Sequence, residues 1–170
     1  MIDTLIKEMI EKNIVNKCEL LGCSEDEIKN IEIKYNIQLP QSYKEFLRKM
    51  GKNSSKLVDS NEYAIEYKSV INMTEEYRQQ TNQYKLEREL ELKTVSESDR
   101  LIIEAEEVLE LPENALLILC RLPSYDFYLI KANGGEDSQV FYCDGEQISK
   151  EFNSFWDVLK MFIKGMQIAT

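Results

Sequence analysis

A single Leu-Pro step separates two helical patterns in residues 31–51, IEIKYNIQLPQSYKEFLRKMG. The proline pushes Leu39 toward extended geometry, whereas Pro40 itself fits the first turn of a following helix. Four apolar residues then recur at helical spacing before a glycine that favours a stop: Tyr43, Phe46, Leu47 and Met50. We interpret this hinge as scaffold that folds two amphipathic helices against a shared core, and not as a binding site.

Capping signals predict the other helices. Ser24 and Glu27 form a capping box ahead of an apolar stripe, and Ser154 precedes the strongly apolar FWDVLKMFIKGM. Asp3 is expected to cap an N-terminal helix. Asn72 and Glu75 are expected to cap a long polar helix over about 73–92, with Met73, Tyr77, Tyr84 and Leu90 on its inner side.

The apolar pattern changes in the second half of the chain. Short apolar runs bounded by turn residues predict strands over 115–122, 126–132 and 139–144, and alternation predicts a short strand over 62–68. The segment LIIEAEEVLELP fits neither period clearly. Helices first, then an antiparallel meander and a closing helix, indicate an α+β domain.

The composition excludes several reaction classes. The chain has no histidine, which removes imidazole-based hydrolysis and His-liganded zinc chemistry. It also lacks a glycine-rich phosphate loop, so no cofactor is expected, and the cysteine spacing gives no reason to expect a metal. The spacing of Cys18, Cys23, Cys120 and Cys143 does not suit a four-thiolate zinc site, and we expect reduced thiols. No apolar run is long enough to span a bilayer and no secretory signal is evident, so we expect a cytoplasmic protein that does not bind membranes.

Negative charge is concentrated in one part of the chain. The net charge is −10, and residues 97–157 contain fourteen acidic and four basic residues, while the remainder is balanced. Local acidity of this kind attracts basic partners and repels nucleic acid. A solvated acidic surface without a partner is the alternative, because negative charge also aids solubility.

Residues along nearly the whole chain resemble the SUKH superfamily, which includes fungal cell-wall assembly regulators and bacterial immunity proteins. The matching positions are Ser24, Glu27, Ile28, Glu32, Leu39, Pro40, Tyr43, Phe46, Leu47, Ser69 to Arg78, Asp126 to Ile130, Val140, Tyr142, Ser154, Phe155 and Leu159. The resemblance implies one SUKH-like domain over 1–170, with residues 1–23 as an N-terminal helical extension.

The resemblance further implies a non-enzymatic binding protein, such as an immunity protein that neutralises a cognate toxin, often a nuclease. A basic nuclease groove is electrostatically complementary to an acidic surface. The residues that we expect to contact such a basic partner lie on and around the sheet: Asp126, Tyr128, Glu136, Asp137, Tyr142, Asp144 and Glu146. Each acid taken alone could be a solvated charge, and each tyrosine could instead be core.

Two other functions remain open from the sequence. The fungal relatives suggest a regulatory or scaffolding module that binds a cellular partner. A carboxylate-dependent enzyme is the third possibility, because four acids cluster in the chain, namely Glu104, Glu106, Glu107 and Glu110. Glu106 and Glu110 also fall at helical spacing, as expected for one solvated face.

Overall fold

The computed structural model describes residues 1–58, 62–105, 108–121 and 126–164. Within them, three helices come first, followed by a short strand, two more helices, four strands and a closing helix. The helices are α1 (Ile2–Glu11), α2 (Glu25–Tyr35), α3 (Gln41–Met50), α4 (Tyr67–Glu91), α5 (Glu97–Ala105) and α6 (Phe155–Ile163). The strands are β1 (Tyr63–Ala64), β2 (Ala115–Arg121), β3 (Phe127–Lys131), β4 (Val140–Cys143) and β5 (Ile148–Phe152).

The five strands form one antiparallel sheet in the order β1-β2-β3-β4-β5. One face packs against α1, α2, α3 and α6 and the other against α4, so the domain has three layers around the sheet. Strands β2 and β3 are buried almost throughout, as their apolar sequences require when both faces are covered. The α+β prediction, with an antiparallel sheet and a closing helix, is therefore confirmed.

The Leu-Pro hinge has the predicted form. The Ser24 and Glu27 capping box is present at the start of α2, and α3 begins directly after Pro40. The Glu32 side chain accepts the Leu39 backbone N–H at 2.8 Å, which ties α2 to the hinge. Tyr43 and Phe46 of α3 are buried against Phe155 of α6, with ring centroids 5.2 to 5.8 Å apart in this cluster. The hinge thus shapes the core.

Several predicted boundaries are wrong. The strand expected over 62–68 is only Tyr63–Ala64, because α4 already begins at Tyr67 and buries it against the core. Leu90 lies on the solvent side of α4 with 64% exposure. The ambiguous segment is partly helical as α5, and β5 was not predicted, because only its two end residues are partly buried. The helix capped by Asp3 in the prediction instead begins at Ile2.

The carboxylate of Glu27 joins three parts of the fold. It forms an ion pair with Lys52 at 2.7 Å and accepts hydrogen bonds from the Ser24 N–H at 2.8 Å and the Tyr67 hydroxyl at 3.1 Å. The Lys52 ammonium, followed by the Ser24 N–H, lowers the pKa of Glu27 from 4.5 to about 2. The ionised form is therefore favoured in the folded protein.

We expect Glu27→Gln to flatten the acid limb of the stability curve. A folded-state pKa below the unfolded value stabilises the protein above about pH 4.5, and this stabilisation is lost as the pH falls toward about 2. Glutamine keeps the acceptor oxygen but removes the charge. Urea unfolding midpoints of wild type and variant should differ at pH 7 and converge near pH 2. The exposed neighbour Asp26 provides a control, and an equal effect of Asp26→Asn would contradict the assignment to Glu27.

Candidate partner-binding site

The strand order determines which of the predicted contact residues lie together. Asp126 precedes β3 and residues 144–147 follow β4, and the register pairs the first residue of β3 with the last of β4. We call this end of the strands, where Asp126 and residues 144–147 lie, the turn end of the sheet. Glu136 and Asp137 lie in the β3–β4 loop, residues 132–139. This loop is at the opposite end of the strands, about 15 Å away and beside the Leu-Pro hinge, and we call it the hinge end of the sheet. The seven predicted residues are therefore not on one continuous surface.

Tyr142 is a partly accessible aromatic side chain near the turn end. It is half-buried on β4, and burial, followed by the nearby carboxylates of Asp126 and Asp144, raises the pKa of its hydroxyl. Asp126 is itself paired with Arg121, with 3.7 Å between Oδ2 and Nη1. Two carboxylates and one cation thus surround the tyrosine, and the local balance is negative.

The β4–β5 turn holds the Asp144 carboxylate in place and leaves the Glu146 side chain exposed. Asp144 Oδ1 accepts the backbone N–H groups of Glu146 at 3.0 Å and Gln147 at 2.9 Å. These donors lower the pKa of Asp144, so its carboxylate stays ionised. Gly145 has a φ of +92°, which permits the tight reversal. In the described residues, the exposed Glu146 side chain has no ion-pair partner, so its charge faces solvent.

Tyr128 lies inside the protein and cannot contact a partner directly. Its side chain is 4% exposed, and its ring packs 5.0 Å from Tyr142 and 6.1 Å from Phe152. Burial, followed by the charge of Glu151, raises the pKa of Tyr128 to about 12. The structure therefore corrects the predicted role of Tyr128 as an anchor for a partner. Its buried ring instead packs against the Tyr142 ring and supports it.

The two acids at the hinge end lie in a loop whose polar groups cap two helices. The carbonyls of Gly135 and Glu136 accept the Gln41 and Ser42 N–H groups, each at 2.9 Å, and so cap α3. The Asp137 carboxylate accepts the Phe155 N–H at 3.1 Å and the Ser154 hydroxyl, and so caps α6. Asp137 is thus occupied within the fold, whereas the Glu136 side chain is exposed.

Basic residues accompany Glu136 at the hinge end. An open groove of about 650 Å³ lies between α2, the hinge and the β3–β4 loop, and Lys29 and Lys44 line it together with Glu32 and Glu136. Lys44 pairs with Glu32 at 2.7 Å. The mixed charge makes this end a weaker candidate for a cationic partner than the turn end.

Two residues close to the predicted contact residues were missed in the sequence analysis, Arg121 at the turn end and Glu151 on β5 toward the hinge end. Arg121 closes β2 opposite Asp126, and Glu151 lies on β5 close enough to Tyr128 to influence its pKa. Arg121 stood in the sequence as an isolated cation in an acidic region, which is the signal that could have identified it. Glu151 could not be placed because β5 itself was not predicted.

Two of the four acids considered for a carboxylate-dependent enzyme form ion pairs with basic residues. Glu104 pairs with Arg100 at 3.1 Å and Glu110 pairs with Lys85, while Glu106 and Glu107 lie outside the described residues. No group of three or more metal-ligating side chains occurs in the described ranges. The four cysteines are free thiols, with Cys18 exposed and the others buried. Across these same ranges, no helix is both long and apolar enough to cross a bilayer.

The structure combines a three-layer α+β fold with charged residues at both ends of the sheet. A comparison with protein families matches residues 22–161 to the SMI1 / KNR4 family (SUKH-1). The match covers most of the chain, so the protein belongs to this family. Membership is consistent with immunity or regulatory roles and with binding to a protein partner. Neither the curated proteins nor the solved structures yielded a match.

Proposed function

We propose that this protein is a non-enzymatic immunity protein that neutralises a cognate toxin in the cytoplasm by docking the turn end of its sheet on a cationic surface. The observation that carries the proposal is that Asp126 and Asp144 lie near the half-buried Tyr142 ring, with Glu146 exposed in the adjoining turn. Family membership supports a protein partner.

The geometry suits rapid recognition of a basic partner. Asp144 is held by two backbone donors and Tyr142 is held by Tyr128, so little side-chain freedom is lost when a partner binds. Carboxylates on a rigid turn steer a cationic surface toward the ring, which then supplies buried apolar area. A nuclease domain whose basic groove binds phosphates is a partner of this kind, and occupation of that groove would exclude its substrate.

The test of function is co-expression with a toxin encoded by a neighbouring gene. Rescue of growth together with a stable complex supports the immunity role. A stable complex with a different cellular protein, without rescue by any neighbouring product, would favour the regulatory alternative instead. An absence of both rescue and binding would remove the immunity proposal.

The charge mechanism makes a separate prediction for Glu146→Lys. The Glu146 side chain is exposed, so its replacement by lysine reverses the charge of the turn without removing a contact of the fold. We therefore expect association with the toxin to slow by about tenfold at low salt. The wild-type rate should fall as ionic strength rises, because salt screens exposed charges. Stopped-flow measurement gives both rates.

The matched control is Glu136→Lys at the hinge end of the sheet. Glu136 has the same charge and a similarly exposed side chain, but it lies at the other end of the strands. We expect the association rate of the Glu136→Lys variant with the toxin to stay within about twofold of wild type. Equal slowing by both variants, or a rate unaffected by salt, would discard docking through the turn end.

A further inference from the structure

Helix α4 extends well beyond the part that packs on the sheet. Its buried residues, Tyr67, Val70 and Thr74, all lie in its first third, and α5 has no buried residue. Five of the eight exposed large hydrophobic residues in the described ranges fall in this region. They are Tyr84, Leu86, Leu90, Leu101 and Ile102. Adjacent exposed apolar side chains, rather than single ones, indicate an interaction surface.

Two of these residues lie on the face of α4 that points away from α5. Arg88 faces α5, because its Nη2 donates to the Ile103 carbonyl at 2.6 Å. Leu86 and Leu90 each stand two positions from Arg88, about 200° around the helix, and one helical turn from each other. They are 67% and 64% exposed. We call this pair the outer leucines.

The residues along the outward face of α4 change from polar to apolar at the outer leucines. The preceding positions on the same line are exposed and polar: Asn72, Glu76, Gln79 and Gln83. A purely solvated helix face has no reason to replace amides and carboxylates with two leucines one turn apart. The change marks a short apolar contact zone on an otherwise hydrated helix.

Charge on both sides of the outer leucines selects the occupant. Glu87 and Glu89 are exposed and flank the pair at about 80° on either side. In the described part of the chain, neither carboxylate forms an ion pair, and Glu87 accepts only the Gln83 amide at 2.8 Å. Packing against a second copy would bring four such carboxylates together, which disfavours self-association through this face.

We propose that the outer leucines dock an amphipathic helix of a partner protein whose apolar line is flanked by Lys or Arg. Flanking cations on such a helix meet Glu87 and Glu89 while its apolar residues cover Leu86 and Leu90, as in recognition of a helix by a shallow apolar groove. This surface lies on α4 and does not depend on the turn end or on the immunity role.

The test uses two synthetic helical peptides with identical leucine lines, one flanked by lysines and the other by glutamates. Fluorescence anisotropy with the full chain should show saturable binding of the lysine peptide alone. Leu86→Ala with Leu90→Ala should weaken that binding at least tenfold. Both positions are exposed and alanine favours helix, so the fold should be retained, and circular dichroism checks this. Glu87→Lys with Glu89→Lys should transfer binding to the glutamate peptide.

The α5 pair provides a matched control. Leu101 and Ile102 are 67% and 66% exposed, so Leu101→Ala with Ile102→Ala removes similar apolar area elsewhere. This variant and Glu146→Lys should each bind the lysine peptide within twofold of wild type. Equal loss in either control, equal binding of both peptides, or no saturable binding would overturn the proposal. A dimer in sedimentation that requires Leu86 and Leu90 would overturn it in favour of a second copy. Failure of toxin neutralisation changes none of these readouts.

Discussion

Replacement of Gly22 by alanine is expected to lower the free energy of unfolding by about 3 kcal/mol, the upper part of the range for overpacking. A Cβ at this position would overlap the backbone carbonyl of Arg48 near the end of α3. The neighbouring backbone cannot easily move aside, because the Cys23 N–H donates to the Leu47 carbonyl at 2.8 Å and the Leu21 N–H to Asn53 at 3.0 Å. Urea unfolding of the purified variant measures the loss.

The control for this substitution is Leu21→Ala, which changes the adjacent residue at a side chain that is 56% exposed. It leaves the close approach of Gly22 to α3 intact, so we expect a change of less than about 0.5 kcal/mol. If Gly22→Ala were as mild as this control, the backbone contact would not be as close as the structure shows.

Removal of the Asp137 carboxylate should destabilise the protein by about 2 kcal/mol, the upper range for loss of a helix cap. Asp137→Ala takes away the acceptor for the Phe155 N–H at the start of α6 and for the Ser138 N–H at 2.8 Å. It also leaves the Ser154 hydroxyl without its carboxylate partner. Thermal and urea unfolding should both register the change.

Two companion variants separate the cap from simple charge. Asp137→Asn keeps an oxygen acceptor, and asparagine caps helices about as well as aspartate, so it should recover most of the stability. Glu136→Ala removes the adjacent exposed charge and should change stability by less than about 0.5 kcal/mol. A large loss in Glu136→Ala, or none in Asp137→Ala, would contradict the capping role.

Local signals were sufficient to predict the hinge and the starts of α2, α3 and α6. The capping box of Ser24 and Glu27, the N-cap Ser154 and the step at Pro40 act through backbone groups within a few residues. Sequence alone can therefore specify them. Strands β2 and β3 were also predictable, because burial on both faces produces continuous apolar runs.

Long-range packing decided the features that sequence reasoning missed. Residues near Tyr67 alternate like a strand, but contacts of Tyr67 and Val70 with the core stabilise a helix there. Strand β5 has three exposed residues at its centre, and so it carries little apolar pattern. The prediction of Leu90 on the inner side failed because the sheet ends before α4 does.

The candidate site was only partly predictable for the same reason. Charge counting identified an acidic part of the sequence, but it could not assign Asp126 and Glu136 to opposite ends of the sheet. Nor could it distinguish Glu146, whose side chain faces water, from Asp137, whose oxygens are used inside the fold. Burial separated the two tyrosines, with Tyr128 covered and Tyr142 accessible.

The β3–β4 loop couples the local unfolding of two helices. Because its carbonyls hold the first turn of α3 and its Asp137 holds the first turn of α6, both helices are anchored to the same few residues. Opening of that loop would release the two helices together, as one cooperative unit in amide exchange. Helix α4, which packs on the other face of the sheet, could stay closed during such an event.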